Sequence, residues 1–333
     1  MAKGAIVIVG GETLTGREVR EVLRDAGIAA HIELVSGDSE VGGLIAEEEG
    51  EAVALSALDQ SVVVDASTIV LCGSSESSRR ALQLSTARKS PPALVDVSGA
   101  LEEEPSARLR APMLEAVAPA NSAGIQVIAH AAAIALALFL KKLAGIREVR
   151  RAVVAIFEPA SERGQGGLNE LQQQTVNLFS FKQLPKAVFD AQAAFNMLSA
   201  WGADAPHSLG DVELRIERHL ATLLGLNSSV PMPSLRLIQA PVFHGHSFSV
   251  WVQFAEPVDV ESIASELASP HIDVRTGDQE PPSNVGIAGQ GGITVGSIAA
   301  DRNDGHACWF WVASDNLRIV AENCAEVIRE LVD

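Results

Sequence analysis

The chain has 333 residues, which is enough for two domains that each bury a hydrophobic core. Apolar residues make up 47% and charged residues 20%, an ordinary balance for a folded protein. The 25 Lys and Arg residues against 42 Asp and Glu residues give a net charge of −17, which argues against nucleic acid and anionic membranes as partners.

The cysteines Cys72, Cys308 and Cys324 are too few and too scattered for a disulfide framework or a zinc site. We therefore expect a cytoplasmic protein without a bound metal. The chain enters a strand-like run at once, with no positively charged leader, so we expect no signal peptide. The most apolar stretch, 131–140, is too short to span a bilayer and predicts a buried helix.

Strand-like and helical patterns alternate in the first half of the chain. The run Ala5–Val9 is continuously apolar and β-branched, which is typical of a strand buried in a parallel sheet. Helical spacing follows over 15–23 and again over 75–88. Further predicted strands lie at 31–35, 61–65, 69–72 and 93–96. This alternation predicts an α/β domain of the Rossmann-like, doubly wound type with a parallel sheet.

The pattern changes near residue 150. Predicted strands lie at 153–157, 234–238, 247–254, 293–298 and 308–312, and predicted helices at 168–178 and 212–224. This order predicts an α+β second domain with a mostly antiparallel sheet covered by helices. A terminal helix, 316–331, is expected to return to the first domain. The first domain then comprises 1–129 and 316–333, and the second comprises 130–315.

The turn after the first predicted strand is the natural place for the pyrophosphate of a dinucleotide. Glycines let a backbone approach phosphates, and a helix N-terminus supplies N–H donors. Gly10 and Gly16 occupy the outer positions, but Thr13 fills the middle one and Glu12 adds negative charge. Two interpretations stay open, a weakened dinucleotide site and a tight turn that binds none. The candidate cofactor residues here are Gly10, Gly11, Thr13, Leu14, Thr15, Gly16 and Ser36.

The segment after the second predicted strand bears on the choice of dinucleotide. It reads Ser36-Gly37-Asp38-Ser39 and contains no arginine to hold a 2′-phosphate. Because NADP differs from NAD by that phosphate, the segment favours NAD over NADP.

Five short motifs fall in the order and spacing of one known family. The first is the turn at 9–16, which we call the glycine turn. The others are Asp96-Val97-Ser98-Gly99-Ala100, Ala194-Phe195-Asn196, Gly245-His246-Ser247 and Ser314-Asp315-Asn316-Leu317-Arg318. Over essentially its whole length the chain resembles the aspartate-semialdehyde dehydrogenase family, and most of all the divergent paralogues called USG-1-like proteins. The related acylglutamyl-phosphate reductases share the fold but fit the Ala-Phe-Asn and C-terminal segments less well.

The resemblance implies reductive dephosphorylation of aspartyl phosphate. In the family a cysteine attacks the acyl phosphate, hydride from NADPH reduces the thioester, and a histidine acts as acid and base. The histidine falls on His246, but the cysteine falls on Ala131, which has no lone pair with which to attack. Cys72, the nearest cysteine, is expected to be a core residue. His246 is either a retained acid/base position or a locally hydrogen-bonded strand residue.

Other substrate positions also depart from the family. Its substrate-holding arginine falls on Gln239, which cannot form a bidentate ion pair with a carboxylate. Its phosphate-contacting arginine falls on Glu102, a reversal of charge, and its glutamine near the cysteine falls on Glu158. Glu213 and Arg215 match a Glu-x-Lys pair that would hold an amino or carboxylate group, or they form a surface pair on a helix.

Two further segments concern the cofactor. In the family the segment from Asp315 lies near the nicotinamide, so Asn316 is a candidate cofactor contact. The segment Ser161-Glu162-Arg163-Gly164 departs from the family's Ser-Gly-Ala-Gly, in which glycine helps to seat the nicotinamide.

These departures lead us to expect a homodimeric relative that has lost the parent reaction and acts by binding or interaction, with a weakened NAD(P) site. One alternative is an active NAD(P)-dependent oxidoreductase that uses His246 without covalent catalysis. Another is one half of a mixed oligomer with an active paralogue. Fold alone does not choose among them.

Overall fold

A computed structural model describes residues 5–28, 31–37, 45–48, 51–115, 124–225, 230–257 and 259–332. The chain divides into two compact units. Unit 1 comprises Met1–Ala129 with Val320–Asp333, and unit 2 comprises His130–Ile319. No helix among the described residues is both long and apolar enough to cross a membrane.

Unit 1 contains a six-stranded sheet of order β2-β1-β5-β6-β8-β7 in which all neighbouring strands are parallel. Its strands are β1 (Ala5–Val9), β2 (Ile32–Val35), β5 (Ala66–Leu71), β6 (Ala93–Asp96), β7 (Ala107–Arg110) and β8 (Ile125–Ile128). Its helices are α1 (Leu14–Asp25), α2 (Gln60–Val64) and α3 (Ser75–Thr86). A separate hairpin pairs β3 (Ile45–Glu48) with β4 (Glu51–Ala54). The predicted parallel α/β domain is confirmed.

The strand predicted at 61–65 is wrong. This segment forms helix α2, and the strand begins only at Ala66. The β-branched residues favour a strand, but the Asp59 carboxylate accepts hydrogen bonds from the backbone N–H groups of Ser61 and Val62 and caps a helical turn. The short strands β7 and β8 were also missed by the sequence-based prediction.

Unit 2 contains a six-stranded mixed sheet of order β10-β9-β11-β14-β13-β12, antiparallel except for its two outermost pairs. Its strands are β9 (Val149–Glu158), β10 (Ser234–Gln239), β11 (His246–Phe254), β12 (Ile272–Val274), β13 (Ile293–Ala300) and β14 (Ala307–Ser314). Its helices are α4 (Ala131–Ile146), α5 (Gly164–Phe179), α6 (Leu209–Gly225) and α7 (Val260–Leu267). The mostly antiparallel sheet of the prediction is confirmed.

Helix α4 is apolar on all sides and is buried from Ala131 to Leu140. It covers the face of the sheet that carries the even-numbered residues of β14, where the ring of Phe139 meets that of Phe310 edge-on at 5.0 Å. The predicted buried helix is therefore confirmed. Its alanines allow close approach of the helix to the strands.

The last helix, α8 (Asn316–Val332), begins in unit 2 and continues into unit 1. In unit 1 the Arg110 guanidinium donates to the Glu330 carboxylate at 2.7 Å, and the Met113 N–H donates to Asn323 Oδ1 at 3.2 Å. The expected return of the C-terminal helix to the first domain is confirmed.

The glycine turn gives a test of packing in unit 1. A Cβ added at Gly16 would lie 2.1 Å from the carbonyl oxygen of Gly10, so Gly16→Ala must displace backbone and should lower the free energy of unfolding by more than about 2 kcal/mol. Gly145→Ala is the matched control, since a Cβ there meets nothing and alanine favours helix α4 by about 0.5–1 kcal/mol. Urea unfolding followed by circular dichroism measures both, and an unchanged midpoint for Gly16→Ala would contradict the packing.

Candidate functional site

Four buried polar residues form a row across four neighbouring strands of unit 2. Gln239 and Glu158 end the parallel strands β10 and β9 and are paired in register. His246 begins β11 and pairs with Ser314 at the end of β14. Since Ser247 pairs with Phe157, the same sheet edge brings His246 beside Glu158. We call Gln239, Glu158, His246 and Ser314 the polar row.

The polar row is buried almost completely. Among the described residues, hydrogen-bond partners are lacking for both carboxylate oxygens of Glu158, both ring nitrogens of His246, Gln239 Oε1 and Ser314 Oγ. Buried polar groups without partners are costly and are uncommon outside functional sites. The side chain of His246 therefore makes no local hydrogen bond among the described residues.

The N-terminus of α4 lies beside the polar row. His130 caps the helix, because its Nδ1 accepts a hydrogen bond from Ala132 N. Its backbone N–H donates to His219 Nδ1 at 2.9 Å, and its ring centroid lies 5.9 Å from that of His246. Ala131, the first residue of α4, thus directly follows His130, whose ring contacts that of His246. His130 is buried and hydrogen-bonded, not solvated.

Glu162 stands between the two histidines. Its Oε2 lies 3.5 Å from His130 Nε2, and its Oε1 lies 3.9 Å from His246 Nδ1. The side chain of Asn316 holds this carboxylate by donating to Oε1 at 2.9 Å, while its Oδ1 accepts from Gly245 N and from Ser161 Oγ. Asn316, a candidate cofactor contact, therefore uses its amide to position Glu162.

Burial sets the protonation of this cluster. Desolvation lowers the pKa of His130, and the nearby Arg215 adds to the effect. Desolvation also lowers the pKa of His246, although Glu162 opposes it. Desolvation raises the pKa of Glu158 to about 8, against the charges of Arg163 and Arg215. At neutral pH both histidines are uncharged and the Glu158 carboxyl is mostly protonated.

The predicted substrate residues have distinct environments. Gln239 Nε2 donates to the carbonyl oxygens of Glu158 and Ala240, so only its Oε1 remains to face a ligand. Glu213 accepts a hydrogen bond from Leu237 N and ties α6 to β10. Arg215 acts electrostatically on both Glu158 and His130.

Side chains of the glycine turn in unit 1 form hydrogen bonds with nearby backbone N–H groups. Thr13 Oγ1 accepts from Gly16 N and caps α1, and the Glu12 carboxylate accepts from Gly37 N at 2.8 Å. Ser36 Oγ lies 3.4 Å from the same carboxylate oxygen. Asp38 and Ser39, named in the argument about the 2′-phosphate, lie outside the described residues.

All cysteines of the chain are buried. Burial raises the pKa of Cys72 and Cys324, and it raises that of Cys308 to about 11. None is therefore a ready thiolate nucleophile. Among the residues with described positions, no group of three or more His, Cys, Asp or Glu side chains has the geometry of a metal site.

Comparisons with known proteins agree with the fold. The model of the semialdehyde dehydrogenase dimerisation domain matches residues 140–319. A USG-1 protein homologue of Pseudomonas aeruginosa is 31% identical over 249 residues, which cover 74% of this chain and 73% of the relative. The chain belongs to the aspartate-semialdehyde dehydrogenase family. Within this family it is USG-1-like.

Solved structures of the family give the same result. The structure of a probable aspartate-semialdehyde dehydrogenase from Pseudomonas aeruginosa has a TM-score of 0.83 at 27% identity, covering 99% of this chain and 98% of that one. An aspartate-semialdehyde dehydrogenase from Candida albicans, solved with NADP, shares the fold with a TM-score of 0.64 at 13% identity and 98% coverage of both chains.

The predicted family positions are divided between the two units. His246, Glu158 and Gln239 share the polar row. Glu102 belongs to unit 1, as does the glycine turn. Sequence reasoning missed Ser314 and His219 as members of the cluster. His219 had a usable signal, because it lies on the buried stripe of α6 with Ile216 and Leu220.

The raised pKa of Glu158 predicts a pH-dependent stability. Unfolded Glu158 ionises above about pH 4.5, whereas folded Glu158 ionises only near pH 8, so its contribution to stability is lost as the pH rises between these values. Glu158→Gln should therefore gain stability relative to the wild type as the pH rises from 5 to 9, on the order of 4 kcal/mol. Urea unfolding at several pH values measures this difference.

The exposed Glu256 provides the control, because Glu256→Gln removes a carboxylate that is not buried. Its difference from the wild type should stay small across the same pH range. A parallel pH dependence for the two variants would rule out desolvation of Glu158 as the cause.

Proposed function

We propose that this chain is a family member that has lost covalent catalysis and binds a small polar ligand at the polar row. The observation that carries the proposal is Ala131 at the N-terminus of α4, next to His130 and its partner His246. A methyl group cannot form a thioester, and loss of a nucleophile from a working catalytic unit typically costs on the order of 10⁶-fold in rate.

The chain offers no substitute nucleophile of the same chemistry. Its cysteines are buried, and burial raises the pKa of each, so the thiolate form is disfavoured. Cys308 is the one that lies in unit 2, near the start of β14, whereas Ser314 of the polar row ends that strand.

The polar row also favours a different kind of ligand from the carboxylate that the family's arginine would hold. The family's arginine position is Gln239, whose amide N–H groups are committed to carbonyl oxygens. What remains for a ligand is the acceptor Gln239 Oε1 and the largely protonated carboxyl of Glu158. These groups suit a ligand that presents hydroxyl or amine donors, and they give no bidentate partner to a carboxylate.

His246 supports a second candidate function, an oxidoreductase without a covalent intermediate. Burial lowers its pKa, so the imidazole is neutral and able to accept a proton, and Glu162 lies 3.9 Å from Nδ1. For this candidate, NAD(P)H formation with some hydroxyl or aldehyde substrate must disappear in His246→Asn.

The parent reaction tests the leading proposal. Wild-type protein supplied with aspartate semialdehyde, phosphate and either NADP⁺ or NAD⁺ should form no reduced dinucleotide, followed at 340 nm. Ala131→Cys should stay inactive, because Gln239 still cannot hold the substrate carboxylate. Turnover by the wild type would overturn the proposal, and turnover by Ala131→Cys would show that the substrate site is intact.

The family implies a dinucleotide, and the glycine turn of unit 1 fits one only in part. Gly10 and Gly16 allow close backbone approach, but Thr13 Oγ1 already occupies the Gly16 N–H that a phosphate would use. The Glu12 carboxylate beside Gly37 opposes a 2′-phosphate. A bound dinucleotide would supply hydride transfer, and the turn would hold it weakly and without that phosphate.

A homodimer is the assembly that the matched dimerisation domain supports, whereas a mixed oligomer with an active paralogue gains no support. The sheet face of unit 2 opposite the polar row is suited to a second copy. Val153, Trp251 and Trp309 lie side by side on β9, β11 and β14, and Phe157 stacks near Trp311 at 5.7 Å. Val153 is 43% exposed and Trp309 is 44% exposed.

The dimer proposal predicts that Val153→Glu weakens self-association by roughly 100-fold or more, because it places a charge in an apolar contact. Val285→Glu is the matched control, since Val285 is 89% exposed and lies outside β9, β11 and β14. Light scattering after size exclusion should give twice the 35.0 kDa chain mass for the wild type and the control. Equal masses for all three proteins would contradict this surface.

A further inference from the structure

The backbone ends of three parallel strands meet in unit 1. Gly10 follows β1, Gly37 lies just beyond β2, and Gly73 follows β5. A Cβ on Gly37 would lie 3.2 Å from the Cα atoms of both Gly10 and Gly73. In doubly wound sheets, ligands bind outside the carboxyl ends of the strands, and the ribose next to adenine lies near the end of the second strand.

The carboxylate of Glu12 lies at this glycine corner, the place where Gly10, Gly37 and Gly73 meet. Glu12 belongs to the turn after β1, yet its Oε1 accepts from Gly37 N at 2.8 Å and lies 3.4 Å from Ser36 Oγ. Its Oε2 is buried and has no hydrogen-bond partner among the described residues. In NAD-binding sheets an acidic residue at the end of the second strand accepts a hydrogen bond from the ribose 2′-hydroxyl. Glu12 brings the same group to the same strand end.

The sequence between α1 and α3 supplies no lysine or arginine for a phosphate. No lysine or arginine occurs in the sequence between Arg24 and Arg79, a stretch that contains the whole of β2 and β5 and the segment after β2. A 2′-phosphate would therefore meet the Glu12 carboxylate with no cation from this stretch. To bind the 2′-phosphate of NADP, this corner would need a cationic side chain in place of the carboxylate.

We propose that Glu12 determines the dinucleotide specificity of unit 1. Its Oε2 accepts a hydrogen bond from the ribose 2′-hydroxyl of NAD(H), and its charge repels the 2′-phosphate of NADP(H). Gly37 and Ser36 hold the carboxylate in place. The proposal concerns unit 1 and goes beyond the loss of the nucleophile in unit 2, so either can fail without the other.

Calorimetric titration with NAD⁺, NADP⁺ and 2′-deoxy-NAD⁺ tests it without any turnover. Wild-type protein should bind NAD⁺ roughly tenfold or more tightly than either of the other two. Glu12→Gln keeps an acceptor for Gly37 N but removes the charge, so discrimination against NADP⁺ should fall by roughly tenfold or more. Glu21→Gln, which removes a charge from the exposed side of α1, should keep the wild-type ratios.

Circular dichroism of each variant checks that unit 1 is folded. Three results would overturn the proposal: tighter binding of NADP⁺ than NAD⁺ by the wild type, equal discrimination by Glu12→Gln and the wild type, or no binding of NAD⁺ by the wild type. If 2′-deoxy-NAD⁺ bound as tightly as NAD⁺, the proposed hydrogen bond from the ribose 2′-hydroxyl to Glu12 would be contradicted.

Discussion

The site in unit 2 depends on the exclusion of water from the polar side chains at the ends of four neighbouring strands. The apolar helix α4 covers one face of the sheet and excludes water from the strand ends beside its N-terminus. Glu158 and His246 are buried there without hydrogen-bond partners, so each takes its uncharged form. The charges of the cluster remain on Glu162, Arg163 and Arg215, around the row instead of within it.

The family fold accommodates this arrangement without a buried charge in the polar row. Gln239 and Glu158, which the resemblance aligns with an arginine and a glutamine of the family, are neighbours in register. Burial keeps the Glu158 carboxyl largely protonated. The sheet therefore tolerates both side chains, because neither carries an unpaired buried charge at neutral pH.

Unit 1 depends on a different constraint, the close approach of backbone at the glycine corner. Gly10 has a positive φ of 83°, and any side chain there would collide with Gly73. The turn keeps this geometry while Thr13 caps α1 and Glu12 bonds to Gly37. Glycines therefore determine the fold of the turn, while Thr13 and Glu12 accept hydrogen bonds from the backbone N–H groups of Gly16 and Gly37.

The sequence by itself determined most of the elements, the two fold classes and the family, because apolar periodicity and motif spacing are local properties. It also placed Ala131 where the resemblance aligns the family's cysteine. The strand expected at 61–65 failed because a cap from Asp59 outweighed β-branched propensity. Only the tertiary structure decided that Gln239, Glu158, His246 and Ser314 form one buried row, since these residues come from four strands far apart in the chain. Burial and its effect on charge are properties of that packing, and no local pattern contains them.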